Sequence, residues 1–197
     1  MTKGENTRHA ILDEAMHMTS RIGINALTIG ALAAESQMSK SGLYAHFNSK
    51  QELQLQVLAH VRTLFVDRVV RPALGAPRGE SRVRALFEGW LEWEHSALDG
   101  GCIFVTLAAE LDGQPGPVRD ALVANERDWL ELLASTAAAG AAEGQFEADL
   151  DADQLAYEVH GVMLAHHHAS RLLSDERALE RTHRAFESIV AAARSSG

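Results

Sequence analysis

The chain has 197 residues, 46% of them hydrophobic, and a formal net charge of −9. This composition supports a substantial core, enough for one small domain and one larger one, and the net charge argues against a generic polyanion binder. Cys102 is the only cysteine, so no disulfide forms within the chain, and we assign it no role. Because the sequence contains neither a signal peptide nor an apolar run of membrane-spanning length, we expect a cytoplasmic protein without a membrane partner.

The charge is unevenly distributed along the chain. Residues 1–50 contain five lysines and arginines against four acidic residues, whereas the remaining residues contain 13 against 23. Every lysine lies at or before residue 50. The two parts of the chain are therefore expected to contact different partners.

Helical periodicity runs through nearly the whole chain and is interrupted by Gly and Pro, which predicts an all-α fold of about nine helices. The first helix is expected to end before Gly23. Its inward-facing side chains are predicted to be Ile11, Leu12, Ala15, Met18 and Ile22.

The next two helices have the spacing of a helix-turn-helix. Thr28 is placed to cap the first of them, so that the amide end of that helix faces a phosphate. After a turn at Ser36-Gln37-Met38, Ser39 is placed to cap the second. Leu43 and Phe47 lie four residues apart and define the buried face of that helix. These three N-terminal helices form the predicted reading domain.

The outward face of the second helix has the chemistry of a DNA-reading surface. Lys40 can donate to guanine acceptors or to a phosphate, Tyr44 and His46 can donate to phosphates, and Ala45 offers only a methyl group. Ser49 and Glu52 form a capping box that places Lys50 as a further phosphate anchor. The predicted DNA-binding residues are Thr28, Ser39, Lys40, Ser41, Gly42, Tyr44, His46 and Lys50.

This segment resembles the tetracycline-repressor (TetR) family of bacterial regulators. The order and spacing are kept over roughly residues 7 to 55, and the matched residues are Leu27, Thr28, Ser39, Lys40, Leu43, Tyr44, His46, Phe47 and Lys50. Two residues depart from the commoner pattern: Gln37 stands where the turn often has Gly, and Ala45 where many relatives carry a larger side chain. A positive φ at Gln37 would cost about 1 kcal/mol.

Beyond the reading domain, the fourth helix is predicted to run toward Arg71-Pro72 and to be followed by a loop over 72–80. A fifth helix is predicted after this loop. The sixth helix is predicted from Cys102 to Leu111 and the seventh from Val118 to about Ala139, with a loop from Gly140 to Asp151. We expect a DNA-binding domain over 1–52 and an effector-binding and dimerisation domain over 53–197.

The last two predicted helices, about 153–173 and 176–194, must pack antiparallel because the connection between them is short. They carry more apolar residues than one hairpin buries, and a second copy of the chain could cover the surplus. The resemblance implies the same arrangement, a homodimer formed by these helices. The predicted interface residues are Val159, Val162, His166, Leu173, Phe186, Ile189 and Val190.

The middle helices carry many large apolar side chains, which favours a pocket for a small hydrophobic or amphipathic effector. Packing in an ordinary core is the alternative for each of these residues. The predicted pocket residues are Phe87, Trp90, His95, Phe104, Leu107, Trp129, Tyr157, His160 and Met163. The resemblance implies a repressor that binds a palindromic operator in double-stranded DNA and is released by its effector.

Two other functions are weighed against this one. The histidines of the C-terminal part could make the regulator metal-responsive, but consecutive helical residues such as His166-His167-His168 point about 100° apart and cannot converge on one ion. A helical protein-interaction module would be favoured if the Lys40 face were indifferent to DNA. Because the usual catalytic motifs are missing, we expect no enzyme, no cofactor and no metal.

Overall fold

The computed structural model describes residues 3–194 and is helical apart from turns and loops. Its α-helices are α1 (Lys3–Ile22), α2 (Ile29–Glu35), α3 (Lys40–Tyr44), α4 (Lys50–Phe65), α5 (Arg71–Leu74), α6 (Glu80–Ser96), α7 (Ile103–Leu111), α8 (Pro117–Ala142), α9 (Ala152–His167) and α10 (Ala178–Ala193). Within the described range there is no β-strand, and one isolated antiparallel bridge pairs Phe146 with Arg194. The predicted all-α fold is confirmed.

Two of the helical rods contain a π-helical stretch, whose backbone hydrogen bonds span five residues instead of four. Val66–Val70 joins α4 to α5, and His168–Leu172 continues α9. Counted as continuous rods over residues 3–194, the helices number nine, as predicted. The fourth rod extends to Leu74 because Pro72 lies in the first turn of α5, where the missing N–H of proline is tolerated.

The chain forms two compact units whose limits differ from those of the predicted domains. The first unit contains the described residues up to Leu64 together with Leu98–Asn125, and the second contains Phe65–Ala97 together with the described residues from Glu126 onward. α7 belongs to the first unit because it packs against α1. The predicted division after residue 52 falls inside α4, and as a functional boundary it stays a prediction.

The core of the first unit follows the predicted apolar faces. Leu43 and Phe47 are completely buried. Ile22 is 48% exposed, contrary to prediction, because α1 ends there and Gly23 turns the chain with a φ of 80°. The other predicted side chains of the first helix are buried: Ile11, Leu12, Ala15 and Met18.

The second unit is held together by contacts between helices that are distant in sequence. The rings of Phe87 and Phe186 stack with centroids 3.8 Å apart and an interplanar angle of 6°, which joins α6 to α10. α9 and α10 pack against each other after a short connection and therefore run antiparallel, as predicted. None of the described helices is long and apolar enough to cross a membrane.

An ion-pair network joins the start of α6 to the end of α10. The Glu80 carboxylate accepts hydrogen bonds from Arg194 Nη2 at 2.6 Å and from Arg84 Nε at 2.8 Å. Arg84 also donates from Nη2 to Glu187 Oε2 at 2.9 Å. Hydrogen bonding from Arg194, supported by Arg84, outweighs the effect of burial and lowers the pKa of the Glu80 carboxyl to about 2.

This lowered pKa predicts a pH-dependent contribution to stability. The ionised Glu80 stabilises the fold above its ordinary pKa of 4.5, and this contribution is lost as the pH falls toward about 2. Glu80→Gln is expected to lower the free energy of unfolding by about 1 kcal/mol at pH 7, and by progressively less below pH 4.5. Denaturant titrations across pH, with the exposed Glu131→Gln as the control, measure this difference. A difference that stays constant down to pH 2.5 would contradict the assignment.

Candidate nucleic-acid interface

Side-chain caps fix the ends of the helix pair in the first unit. Thr28 Oγ1 accepts a hydrogen bond from Ala31 N at 3.0 Å, and Ser39 Oγ accepts one from Gly42 N at 3.1 Å. Both predicted caps are therefore confirmed. Gln37 adopts a positive φ of 55° in the turn between the two helices, at the position where a glycine would be less strained.

One face of α3 is packed and the opposite face is open to solvent. Leu43 is fully buried, whereas Tyr44 is 55% exposed and Lys40 and Ser41 are exposed beside it. A Cβ at Gly42 would lie 3.1 Å from Ser39 Oγ, so glycine at this position leaves the cap undisturbed. The exposed residues of α3 thus carry an ammonium group and two hydroxyl groups, all of which can donate to phosphates or base edges.

The acidic side chains that flank this face are already engaged. Glu35, at the end of α2, forms an ion pair with Arg21 at 2.7 Å. Glu52, in the first turn of α4, accepts hydrogen bonds from Asn48 N at 3.1 Å and from Asn48 Nδ2 at 2.8 Å. α3 itself contains no acidic residue. Because α3 contributes no carboxylate and Glu35 is paired with Arg21, the charge of Lys40 favours an anion at this face, although the whole chain is acidic.

The residues that follow α3 differ in burial and in hydrogen bonding. Ala45 is exposed next to Tyr44, and His46 is half-buried beside the Phe47 ring. Ser49 Oγ accepts a hydrogen bond from Glu52 N at 3.1 Å, but the Glu52 carboxylate returns to Asn48 rather than to Ser49. The capping box is therefore present with its reverse bond shifted by one residue.

Lys50 has a structural contact that the sequence did not indicate. Its Nζ donates a hydrogen bond to the backbone carbonyl of Asn25 at 2.6 Å, in the loop between α1 and α2. An ammonium group has three donors, so it can still donate to a phosphate. Lys50 thus also holds the loop, and its role as a phosphate anchor stays a prediction.

The same loop is held by α7 through a carboxylate that the sequence analysis missed. Glu110 Oε2 accepts a hydrogen bond from Ile24 N at 2.8 Å, and Glu110 Oε1 accepts one from Asn25 N at 2.7 Å. Gly23 permits this approach, because a Cβ at that position would lie 2.6 Å from Glu110 Oε2. The carboxylate therefore fixes two consecutive backbone amides at the entrance to the helix pair.

Amide side chains complete the attachment of this loop. Gln54 Nε2 donates to the carbonyl of Ile24 at 2.6 Å, and Asn25 Nδ2 donates to Gln114 Oε1 at 3.2 Å. Because Gln54 is buried, its amide group needs a hydrogen-bond partner within the protein, and the carbonyl of Ile24 supplies one. α4 and α7 thus both determine where α2, and with it α3, begins.

The predicted pocket residues belong to both units. Phe104 and Leu107 are buried in the first unit, while the other seven belong to the second. Within the second unit Phe87, Trp90 and Met163 are core residues, His95 is exposed, and Tyr157 is 72% exposed on α9. Periodicity identified large side chains without distinguishing those that pack in the core from those at the surface.

Two of the predicted residues, Trp129 and His160, lie in an unusual setting in the second unit. The Phe65 ring meets Trp93 and Trp129 edge-on, with centroid distances of 5.4 and 5.2 Å. Nearby along α8, the Glu126 carboxylate lies 3.8 Å from His160 Nε2. Burial raises the pKa of Glu126 and lowers the pKa of His160, so both groups are driven toward their neutral forms.

The predicted dimer-interface residues divide by burial. Val162 and Ile189 are half-buried and Leu173 is exposed. The other four pack inside their own unit and are not available to a partner, which corrects the prediction: Val159, His166, Phe186 and Val190. The reason is that α9 and α10 bury these side chains against α6 and against each other, as the stack of Phe186 on Phe87 illustrates.

The histidines of the second unit have separate neighbours. His166 Nδ1 lies 3.0 Å from Thr182 Oγ1, His167 Nδ1 lies 3.0 Å from Glu94 Oε1, and His183 Nε2 lies 3.2 Å from Glu88. Over the described part of the chain, no three His, Cys, Asp or Glu side chains are grouped so as to hold a metal ion. The metal-responsive alternative therefore gains no support from their arrangement.

Sequence comparison assigns both parts of the chain to known families of domains. Residues 11–57 match the model for bacterial regulatory proteins of the tetR family. Residues 79–186, more than half of the chain, match the model for the tetracyclin repressor-like C-terminal domain. A search of curated proteins gives no match.

The fold is shared with solved regulators over almost the whole chain. A TetR transcriptional regulator from Chloroflexus aurantiacus is 24% identical, with a TM-score of 0.86 over 97% of this chain and 96% of that one. A transcriptional regulator from Saccharomonospora viridis, in complex with choline, is 22% identical, with a TM-score of 0.79 over 97% and 99%. AibR, in complex with isovaleryl coenzyme A and operator DNA, is 20% identical, with a TM-score of 0.70 over 91% and 98%.

The geometry around Glu110 predicts the effect of a nearly isosteric substitution. Glu110→Gln keeps one acceptor oxygen but turns an NH2 group toward a backbone N–H, so one of the two hydrogen bonds to the carboxylate is lost. We expect the free energy of unfolding to fall by about 1 to 3 kcal/mol, as measured by denaturant titration. Glu131→Gln, on the exposed surface of α8, is the matched control and is expected to change stability by less than about 0.5 kcal/mol. Equal stabilities for the two variants would show that the loop does not depend on Glu110.

Proposed function

Because the chain belongs to the TetR family of bacterial regulatory proteins, we propose that it is a cytoplasmic repressor that binds a palindromic operator as a homodimer and is released by a small hydrophobic effector. DNA-binding transcriptional regulation follows from the family. The observation that carries the proposal is the exposed face of α3, where Lys40, Ser41 and Tyr44 lie together on a capped helix with its acidic neighbours engaged.

In this proposal α3 enters the major groove and α2 lies against the backbone. Lys40 contacts a guanine edge or a phosphate, Tyr44 and His46 contact phosphates, and Gly42 lets the helix approach closely. Thr28 and Ser39 orient the amide ends of the two helices. One α3 helix makes so few base contacts that it distinguishes only a short half-site. Specificity therefore requires two α3 helices about 34 to 36 Å apart, which is one turn of the duplex.

We further propose that the homodimer forms through the exposed apolar residues of α9 and its π-helical continuation. Leu164 is 42% exposed and Leu172 is 70% exposed, although both are large and apolar. Tyr157, Leu173 and Leu179 are exposed on the same helix pair. Burying such side chains against a symmetry-related copy removes them from water, which supports dimerisation through the outer surface of the hairpin rather than its packed core.

Release by an effector requires that effector and operator favour different conformations. A ligand that binds more tightly to the conformation unable to bind DNA lowers operator affinity by the factor by which the operator lowers ligand affinity. The molecules bound in two similar structures, choline and isovaleryl coenzyme A, support a small molecule as the signal. We place the effector in the second unit because it carries the buried aromatic and ionisable groups described above.

The reading face is tested by Lys40→Ala. On a duplex enriched from a random pool, we expect operator affinity to fall at least tenfold while melting temperature and dimer state stay unchanged. If each Lys40 contacts a phosphate, the slope of log affinity against log salt should also become shallower by about 2, one contact per protomer. Fluorescence anisotropy across a salt series measures both quantities. Arg68→Ala, which removes an exposed charge from the second unit, is the control, and equal affinities for the two variants would contradict the proposed face.

The proposed dimer surface is tested by Leu164→Glu. This substitution would place two carboxylates in the apolar contact, and we expect a folded monomer in analytical ultracentrifugation with at least tenfold weaker binding of a full palindrome. Leu74→Glu changes a leucine of similar exposure, 46%, that lies outside α9 and α10, and it should leave the dimer intact. A Leu164→Glu protein that remains dimeric would place the interface elsewhere.

A further inference from the structure

The cluster of Phe65, Trp93, Trp129, Glu126 and His160 in the second unit is poorly explained as a structural core. Trp93 and Trp129 are 3% and 8% exposed, and the indole N–H of each is buried without a hydrogen-bond partner in the described part of the structure. Leaving a buried N–H unpaired is unfavourable, and native cores seldom contain such groups. Here two of them flank a single ring, that of Phe65.

The neighbouring ionisable groups also differ from those of a packed core. Glu126 lies one helical turn before Trp129 on α8, and it shares that face of the helix with the indole. Its carboxyl lies opposite the imidazole of His160, at the long distance of 3.8 Å, and both side chains remain partly reachable by solvent, with exposures of 27% and 16%. This pair therefore forms a polar, accessible edge next to the buried aromatic rings.

The backbone at Phe65 adds an independent sign of a binding site. Phe65 is the last residue of α4 before the π-helical stretch Val66–Val70. π-helical stretches are rare and occur frequently at functional sites. The ring that both tryptophans contact is thus carried by a locally irregular helix.

We propose that the effector is an uncharged, largely apolar molecule carrying a hydrogen-bond acceptor oxygen, such as a ketone, which the indole N–H groups of Trp93 and Trp129 bind. This inference rests on the proposed function and names the chemical class of its effector. Both indole groups are donors only, so their complement is an acceptor. The ring faces of Phe65 and the two tryptophans supply the apolar contact area.

Charged effectors fit the same groups less well. An organic cation would find aromatic rings, but it would leave both indole N–H groups unpaired, and burial favours the neutral form of Glu126. An organic anion could accept from the indoles, but burial also disfavours a charged His160 as its counter-ion. An uncharged acceptor satisfies the two donors without burying a net charge.

Three probes of similar size distinguish these classes: acetophenone, ethylbenzene and benzyltrimethylammonium. A purely apolar site would bind ethylbenzene more tightly than acetophenone, because the carbonyl group must be desolvated. We expect the reverse order in the full-length wild type, with acetophenone favoured about tenfold, which corresponds to about 1.4 kcal/mol. Equilibrium dialysis measures the three affinities.

The tryptophan variants show which donors carry this preference. In the double variant Trp93→Phe/Trp129→Phe the order should revert so that ethylbenzene binds more tightly. Trp90→Phe is the matched control, because the Trp90 indole N–H is not among the unpartnered buried donors, and it should keep the wild-type order. The ratio of the acetophenone and ethylbenzene affinities is compared within one variant. A loss of packing that weakens both probes equally therefore leaves this ratio unchanged. Because the wild-type comparison needs no variant, a variant that fails to fold does not remove the test.

Tighter binding of ethylbenzene or of benzyltrimethylammonium by the wild type would overturn the inference, and so would failure of all three probes to bind. An acetophenone preference retained by the double variant would likewise exclude the indole donors. Operator binding is measured in parallel without any probe. A protein that binds the enriched duplex but lacks the acceptor preference contradicts this inference alone, whereas one that binds no duplex contradicts the proposed function and leaves the probe comparison valid.

Discussion

The position of α3 depends on how the loop between α1 and α2 is held. Glu110 fixes two consecutive amides of this loop, and Lys50 and Gln54 bind its carbonyl groups from α4. α2 begins only a few residues later, at Ile29, and the turn to α3 has its strained residue at Gln37. A displacement of α7 would therefore move the base of the helix pair directly. This arrangement gives the first unit a physical route by which a change at α7 alters DNA binding.

The sequence was sufficient where the chemistry is local. The caps at Thr28 and Ser39 depend on partners three residues away, and the burial of Leu43 follows from helical periodicity, so both could be predicted from spacing. The partners of Lys50 and Glu110 lie 25 and about 85 residues away along the chain, and no pattern in a single sequence pairs them. The two caps were therefore confirmed, the loop contacts of Lys50 and Glu110 were missed, and Lys50 as a phosphate anchor stays a prediction.

The same distinction explains the errors in the second unit. Apolar periodicity showed that α9 and α10 carry more hydrophobic side chains than one hairpin buries, but it did not show which of them α6 covers. Phe186 is buried by stacking on Phe87, whereas Leu164 and Leu172 remain exposed. The buried indole donors of Trp93 and Trp129 could not be recognised from sequence either, because a tryptophan with a satisfied N–H gives the same pattern. Hydrogen-bond satisfaction, rather than hydrophobicity, distinguishes this cluster from the rest of the core.

The central claim is that two copies of the α3 face read DNA together. The most direct measurement is the symmetry of the duplexes that the full-length protein enriches from a random pool. We predict inverted copies of one short half-site with their centres about 10 base pairs apart, since two-fold protein symmetry imposes that spacing on the duplex. Enrichment of a single unsymmetrical site, or of no sequence at all, would contradict the claim.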